Sequence, residues 1–110
     1  MTARVGEVWL VDLSPVIAKE QGGLRPCLVI SADHYNAMRI AHAIVAPMTT
    51  RDRGLPHHVP LIGNGLDHPS YVMPESIRAL STTRFIRQLG DASPHTLETV
   101  RRHVRRFIGG

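Results

Sequence analysis

The sequence is poor in cysteine and in aromatic residues, and each shortage excludes a class of site. A single cysteine, Cys27, rules out an internal disulfide bond and a zinc cluster built on several thiolates. Cys27 stands in an apolar segment, so we expect a buried small side chain and not a reactive thiol. Two Phe, two Tyr and one Trp are few for a surface that binds nucleic acid by stacking bases on aromatic rings.

Long apolar segments are also missing. No segment approaches the roughly 18 consecutive apolar residues of a membrane-spanning helix. The first seven residues, Met1-Thr2-Ala3-Arg4-Val5-Gly6-Glu7, lack the apolar core of a signal peptide. We therefore expect a cytoplasmic protein with no membrane partner.

The length and the charge of the sequence indicate the number of domains and the kind of partner. The 110 residues have the size of one domain, and we treat 1–110 as a single unit. Lysine and arginine outnumber aspartate and glutamate by 13 to 9, which gives a formal net charge of +4. This excess of positive charge favours a polyanionic partner, and nucleic acid is the first candidate. Many small basic proteins, however, bind no nucleic acid.

Short apolar segments separated by Gly, Pro, Asn and Asp predict an α+β domain, mainly β, built from short strands. The first strand is almost continuously apolar, so we expect it to be buried on both faces. Gly63-Asn64-Gly65 predicts a hairpin between the fourth and fifth strands. The predicted strands are 5–13, 26–31, 41–48, 57–62, 70–73, 77–81 and 85–89, with one helical turn over 33–38.

The last segment changes to a helical period. Ser93-Pro94 is an N-cap followed by proline at the first helical position, and two glycines end the chain. One face is expected to pack on the core through Leu97, Val100, Val104, Phe107 and Ile108. An adjacent or opposite face carries Arg101, Arg102, Arg105 and Arg106. These arginines either contact RNA or an acidic partner, or form a solvated face favoured by the helix dipole, and we prefer the second interpretation.

The segment Glu20-Gln21-Gly22-Gly23-Leu24-Arg25-Pro26 joins a loop of about a dozen residues to a buried strand, and long loops are often functional. The Arg25 guanidinium is a planar fork of donors that matches two phosphate oxygens. Pro26 restricts Arg25 to an extended backbone, which helps to fix its direction. A surface arginine paired with Glu20 or Glu7 is an equally good interpretation of Arg25 from the sequence alone.

Cleavage of RNA without a metal needs a base, an acid and donors that stabilise charge on the phosphoryl oxygens. Thr49, at the predicted end of the third strand, offers a hydroxyl, although threonine is common in strands for steric reasons. Glu20 is a candidate proton acceptor and Gln21 a candidate orienting group.

We expect no metal and no other cofactor. Paired carboxylates at ligand spacing and Cys/His clusters are lacking from the sequence. His57 and His58 are adjacent, but neighbours in a strand point to opposite faces and cannot hold one ion together.

Several motifs together resemble the MazF/PemK family of toxin ribonucleases, over about residues 4 to 107. The Glu20-to-Pro26 loop leading into Leu28-Val29-Ile30-Ser31 is the most specific, together with the threonine that follows it. The others are Gly6-Glu7-Val8-Trp9, Asn36, Ile44-Val45-Ala46-Pro47-Met48-Thr49-Thr50, and Ile77-Arg78-Ala79-Leu80 with Arg84.

The resemblance implies a compact SH3-like β-barrel of the CcdB/MazF type with a C-terminal amphipathic helix. It also implies a homodimer that cuts single-stranded RNA at short sequence motifs, leaving 2′,3′-cyclic phosphate and 5′-hydroxyl ends. A MazE-like antitoxin is expected to neutralise it, and mRNA, tRNA and rRNA all remain open as targets. By match, the catalytic residues are Arg25, Thr49 and Glu20. The expected RNA-binding residues are Gln21, Thr50, Arg51, Arg53, His57 and Arg84.

Two rival interpretations belong to other functional classes. The first is a gyrase-binding toxin of the same fold that does no chemistry and uses C-terminal apolar residues such as Phe107 and Ile108. The second is an RNA-binding barrel without catalysis, which the scarcity of aromatic residues argues against. Turnover on RNA separates both from the ribonuclease.

Overall fold

A computed structural model describes residues 3–14 and 23–109, and these fold into a curled antiparallel β-sheet with a helix packed on it. The strands are β1 Glu7–Asp12, β2 Leu24–Val29, β3 His42–Thr49, β4 Val59–Leu61, β5 Ser70–Val72, β6 Arg78–Ser81 and β7 Phe85–Asp91. The helices are α1 Asp33–Asn36 and α2 Pro94–Ile108, and two 3-10 turns cover Pro74–Ser76 and Thr82–Arg84.

Strand β3 organises the sheet because it pairs with three other strands. The strand order is β4-β5-β3-β2-β1-β7, and β6 pairs separately with β3. The first half of β3 lies against β6, with Val45 opposite Arg78, and its last two residues lie against β5, with Thr49 opposite Tyr71. Along its other edge it pairs with β2, where Pro47 lies opposite Cys27. The second half of β3 therefore lies between β2 on one edge and β5 on the other, while β6 continues that second edge along its first half.

The central strands are buried on both faces, as the apolar character of the first strand predicts. Side chains alternate between the two faces of a strand, so each central strand contributes residues to two hydrophobic clusters. One cluster, which includes α2 residues, contains Val8, Leu28 and Met48. The other contains Trp9 and Cys27, and the Trp9 ring packs edge-on against Phe85 with centroids 5.6 Å apart.

Cys27 is fully buried, which confirms the expectation for the only cysteine. Burial raises the pKa of its thiol to about 12, although the nearby charges of Arg78 and Arg25 act in the opposite direction. The thiol therefore stays protonated at neutral pH, and a protonated, enclosed thiol is a poor nucleophile.

Helix α2 begins and ends as its sequence predicts. The Ser93 hydroxyl oxygen accepts a hydrogen bond from the Thr96 backbone N–H at 3.1 Å, and Gly109 closes the helix in the left-handed conformation. Among the described residues no helix has the length and apolarity required to cross a membrane.

The apolar face of α2 packs on the core over most of its length, through Val100, Val104 and the partly buried Leu97. The prediction is wrong for Phe107 and Ile108, which are 51% and 73% exposed. The apolar face is longer than the core that it meets, so the last turn of the helix stays accessible.

Two of the four helix arginines serve the fold. The Arg101 guanidinium donates two hydrogen bonds to the Ile30 carbonyl oxygen, at 2.9 and 2.7 Å. Arg105 pairs with Glu98 at 2.6 Å. Arg101 is therefore bonded to the core, which neither interpretation from the sequence describes, whereas Arg102 and Arg106 lie on the exposed face, as expected for a solvated strip.

The hairpin between β4 and β5 is present, but its connection is longer than a two-residue turn. Val59 lies opposite Val72 and Leu61 opposite Ser70, so residues 62–69 form the connection. Within it, Gly63 and Gly65 have φ angles of +78° and +81°, which favour glycine. Gly65 also lies directly against the backbone of Leu89 in β7.

Candidate functional site

A cleft of about 520 Å³ opens beside the carboxyl end of β3, between the beginning of β2 and the beginning of β6. The strand pairing described above brings its lining residues together, because β3 pairs with β2 along one edge and with β5 and β6 along the other. The described lining consists of Leu13, Arg25, Pro47, Thr49, Thr50, Arg51, Arg53, Met73, Ser76 and Arg78.

The described part of this lining carries four arginines and no acidic residue. The side chains of Arg25, Arg51 and Arg53 make no hydrogen bond or ion pair with another described residue. Arg78 makes one long hydrogen bond, from Nη1 to the Leu13 carbonyl oxygen at 3.4 Å. The guanidinium donors are therefore available to an anionic ligand, and their geometry suits phosphate oxygens.

Arg25 and Thr49 are held by neighbouring strands. Arg25 lies opposite Val11 in the β1–β2 ladder, and the following Pro26 keeps its backbone extended. Thr49 is 8% exposed, and its hydroxyl oxygen accepts a hydrogen bond from the Arg51 backbone N–H at 3.2 Å. Because the oxygen already accepts that bond, the hydroxyl hydrogen is free to be donated to a ligand.

The structure brings together five of the residues singled out from the sequence: Arg25, Thr49, Thr50, Arg51 and Arg53. Glu20 and Gln21 lie outside the described residues. His57 and Arg84 do not line this cleft. The Arg84 guanidinium instead donates to the carbonyl oxygens of Asp12 and Ser14, at 3.1 and 2.7 Å, and so holds the chain where it leaves β1.

Five lining residues are not among the site residues predicted from the sequence: Leu13, Pro47, Met73, Ser76 and Arg78. Arg78 enters the cleft because β6 pairs with β3, which places it opposite Val45. That pairing joins segments more than thirty residues apart in the sequence. No local pattern around Arg78 predicts the pairing. Its place in the segment Ile77-Arg78-Ala79-Leu80, which carries the family resemblance, was the only available signal.

His57 and His58 contradict the expectation that they point to opposite faces of a strand. Both precede β4, and the His58 backbone N–H closes a turn on the Leu55 carbonyl oxygen at 3.1 Å. Both rings therefore contact Glu75, with Nε2 atoms 3.3 Å and 2.8 Å from its two carboxylate oxygens. Burial acts to raise the pKa of Glu75, but the His58 hydrogen bond and the histidine charges hold that pKa below its usual value.

Chemically, the described lining suits a phosphodiester and offers little to a metal ion. It presents guanidinium and hydroxyl donors but no carboxylate, imidazole or thiol, the side chains that bind Mg²⁺ or Zn²⁺. Donors fixed around one point stabilise negative charge that accumulates on phosphoryl oxygens during displacement at phosphorus.

Comparison with curated proteins gives two relatives that carry the name endoribonuclease. The chain is 39% identical to endoribonuclease EndoA of Bacillus subtilis over 88 residues, which are 76% of this chain and 75% of that protein. It is 34% identical to endoribonuclease MazF of Staphylococcus saprophyticus over 110 residues, covering 96% of this chain and 91% of that protein.

Among solved structures, MazF from Deinococcus radiodurans has a TM-score of 0.84 at 29% identity and covers 100% of this chain and 99% of its own. The same organism's MazE–MazF structure gives a TM-score of 0.82 at 27% identity, over 99% and 98% of the two chains. The likeness confirms the expected MazF-type fold.

A family model for the PemK-like, MazF-like toxin of type II toxin–antitoxin systems matches residues 4–108. That span contains every described residue of the arginine-lined cleft. The chain belongs to the PemK/MazF-like toxin family.

Proposed function

We propose that this chain is a metal-independent endoribonuclease toxin that cuts single-stranded RNA at specific short sequences. The observation that carries the proposal is the cleft that the buried Thr49 lines together with four arginines, three of whose side chains make no hydrogen bond or ion pair with another described residue. The two relatives named endoribonuclease support the same activity. The alternative of a gyrase-binding toxin is not favoured, because the family match and both relatives point to RNA cleavage.

In the proposed reaction the 2′-oxygen attacks the adjacent phosphorus and the bond to the 5′-oxygen breaks. The products are a 2′,3′-cyclic phosphate and a 5′-hydroxyl. Arg25 binds two phosphoryl oxygens through its planar fork, and the Thr49 hydroxyl donates to one of them. Because strands β2 and β3 hold the backbones of both residues beside the same cleft before RNA binds, little backbone reorganisation is needed as charge develops in the transition state.

The proton transfers of this reaction need an acid–base group, and the described lining of the cleft does not contain one. That lining contains no carboxylate or imidazole, and arginine is too weak an acid to lose its proton readily. Glu20 is therefore our candidate for the base that removes the 2′-hydroxyl proton, and water supplies the proton that the departing 5′-oxygen takes up. Gln21 is our candidate for a group that orients the RNA.

The proposed partners follow from charge and from the relatives. The cleft's arginines attract either an RNA backbone or the acidic segment of an inhibitor. The Deinococcus radiodurans relative has been solved as a MazE–MazF structure, so we propose a MazE-like antitoxin here. We further propose that the active species is a cytoplasmic homodimer.

The direct test is a gel assay of purified, untagged protein on a long single-stranded RNA in excess EDTA. We expect discrete fragments whose 5′ ends are unphosphorylated and whose 3′ ends carry a cyclic phosphate. An Arg25→Ala protein purified in parallel shows whether a contaminating nuclease produces the fragments. Intact RNA with folded wild-type protein, or cutting that stops in EDTA, would overturn the proposal.

Arg53 is expected to contribute to RNA binding without base specificity. Each phosphate neutralised on a single strand contributes a slope of about −0.7 to the dependence of log K on log salt concentration. Arg53→Ala should therefore weaken RNA binding similarly for all sequences and make that slope shallower by about 0.7. Fluorescence anisotropy across a salt series measures both quantities. An exposed arginine outside the cleft, Arg39→Ala, is the matched control and should change neither.

A further inference from the structure

We propose that His57, His58 and Glu75 form a binding site for a divalent transition-metal ion of the zinc type. This site is separate from the cleavage chemistry. The three side chains come from two segments, the turn before β4 and the 3-10 turn Pro74–Ser76. Their ligand atoms all lie within 4.8 Å of one another. An ion bound among them would join the two segments.

The arrangement is close to that of a zinc site. Ligand atoms about 2.0–2.2 Å from zinc in a tetrahedral site lie about 3.3 Å apart. Here the histidine Nε2 atoms are 3.3 and 2.8 Å from the two carboxylate oxygens of Glu75. The ligand atoms are separated by up to 4.8 Å, so side-chain rotation has to bring them closer when an ion binds. Two imidazoles and a carboxylate leave one position for water, as in open zinc sites.

His58 supplies a second observation. Its side chain is only 3% exposed, and no described hydrogen-bonding group reaches its Nδ1 atom. A buried polar atom without a partner is unusual in a native protein and calls for an explanation. Among the described residues the one hydrogen bond of this ring joins Nε2 to Glu75, and an ion bound at Nε2 would replace that bond while keeping both groups as ligands.

The side of the cluster that faces solvent gives an ion access. The side chains of His57 and Glu75 are 27% and 37% exposed, so the site is shielded on the His58 side and open on the other. Phe107 packs edge-on against the His57 ring, with centroids 5.3 Å apart, and limits where that ring can move. The mixed nitrogen and oxygen ligands favour zinc-type ions over Mg²⁺, which prefers oxygen ligands and retains its waters.

The site lies beside the cleft and not in it. Ser76, which lines the cleft, directly follows Glu75, whereas His57 and His58 follow the loop that carries Arg51 and Arg53. A bound ion would therefore tie the arginine loop to the opposite cleft wall. Its expected role is to stabilise the arrangement of that loop.

The test is a thermal unfolding scan and a calorimetric titration of untagged, EDTA-stripped protein with Zn²⁺ alone. We expect one ion per chain and a rise in Tm of at least about 5 °C at saturating Zn²⁺, because a ligand that binds only the folded state stabilises it. Mg²⁺ at the same concentration should leave Tm unchanged. His57→Ala and Glu75→Gln should each weaken Zn²⁺ binding by at least about tenfold.

The matched control is His95→Ala, which removes an exposed histidine from the first turn of α2 and should bind Zn²⁺ as the wild type does. Because His57 and Glu75 are partly exposed, the two test variants are expected to fold, and their circular dichroism spectra check this. The proposal is overturned if Zn²⁺ fails to raise the wild-type Tm. It is equally overturned if His57→Ala and Glu75→Gln bind Zn²⁺ as tightly as His95→Ala does.

Discussion

Arg25→Ala should reduce the rate of RNA cleavage by about 100- to 1,000-fold while the protein remains folded. Removal of one preorganised donor from a site of developing charge typically costs this much. Arg25 is exposed and makes no hydrogen bond or ion pair with another described residue, so its loss removes little that holds the fold together. Single-turnover rates on a short RNA that contains the mapped cleavage sequence measure the effect.

Two further variants separate the charge of Arg25 from its geometry. Arg25→Lys keeps the positive charge but loses the planar fork, so we expect it to restore only a small part of the activity. Arg39→Ala removes an equally exposed arginine outside the cleft and should cleave at the wild-type rate. Wild-type cleavage by folded Arg25→Ala would exclude Arg25 from the reaction.

Gly65→Ala should lower the free energy of unfolding by more than about 3 kcal/mol, an exceptional loss for one methyl group. A Cβ atom at Gly65 would overlap the carbonyl group of Leu89, and a backbone atom cannot move aside as a flexible side chain can. Gly65 also has a φ angle of +81°, which adds left-handed strain. Urea denaturation followed by circular dichroism measures the change.

Gly63 provides the matched control for this effect. Its φ angle of +78° is almost the same, but a Cβ atom there would meet nothing within 4 Å. Gly63→Ala should therefore cost only the backbone strain, about 1–2 kcal/mol. Gly90→Ala tests the same contact from the β7 side, since a Cβ atom at Gly90 would overlap the Asn64 carbonyl group. Equal losses in Gly63→Ala and Gly65→Ala would show that the contact with β7 is unimportant.

Much of the fold follows from local patterns in the sequence. Short apolar segments separated by Gly, Pro, Asn and Asp predict all seven strands, and Ser93, Pro94 and Gly109 mark both ends of α2. Prediction from the sequence fails where tertiary contacts determine a conformation that the local pattern does not indicate. The Gly63-Asn64-Gly65 segment predicts a tight hairpin, yet it is part of an eight-residue connection, residues 62–69, that packs on β7.

The site was predictable only in part, for a similar reason. Arg25 and Thr49 stand at strand ends in segments with a family likeness, and both line the cleft. Arg78 reaches the same cleft only through the pairing of β6 with β3. His57 was assigned to a strand but lies in a turn, because the pattern of short apolar segments cannot fix a strand boundary to one residue.

The pairing of β1 with β7 determines how late in synthesis the sheet can be completed. The ribosome synthesises β1 first, and its partner β7, which begins at Phe85, follows only after most of the sequence between them. Arg78 likewise emerges well after Thr49. An incomplete nascent chain therefore lacks both the last strand of the sheet and one arginine of the cleft. The sheet and the cleft can therefore be completed only after β7 has been synthesised.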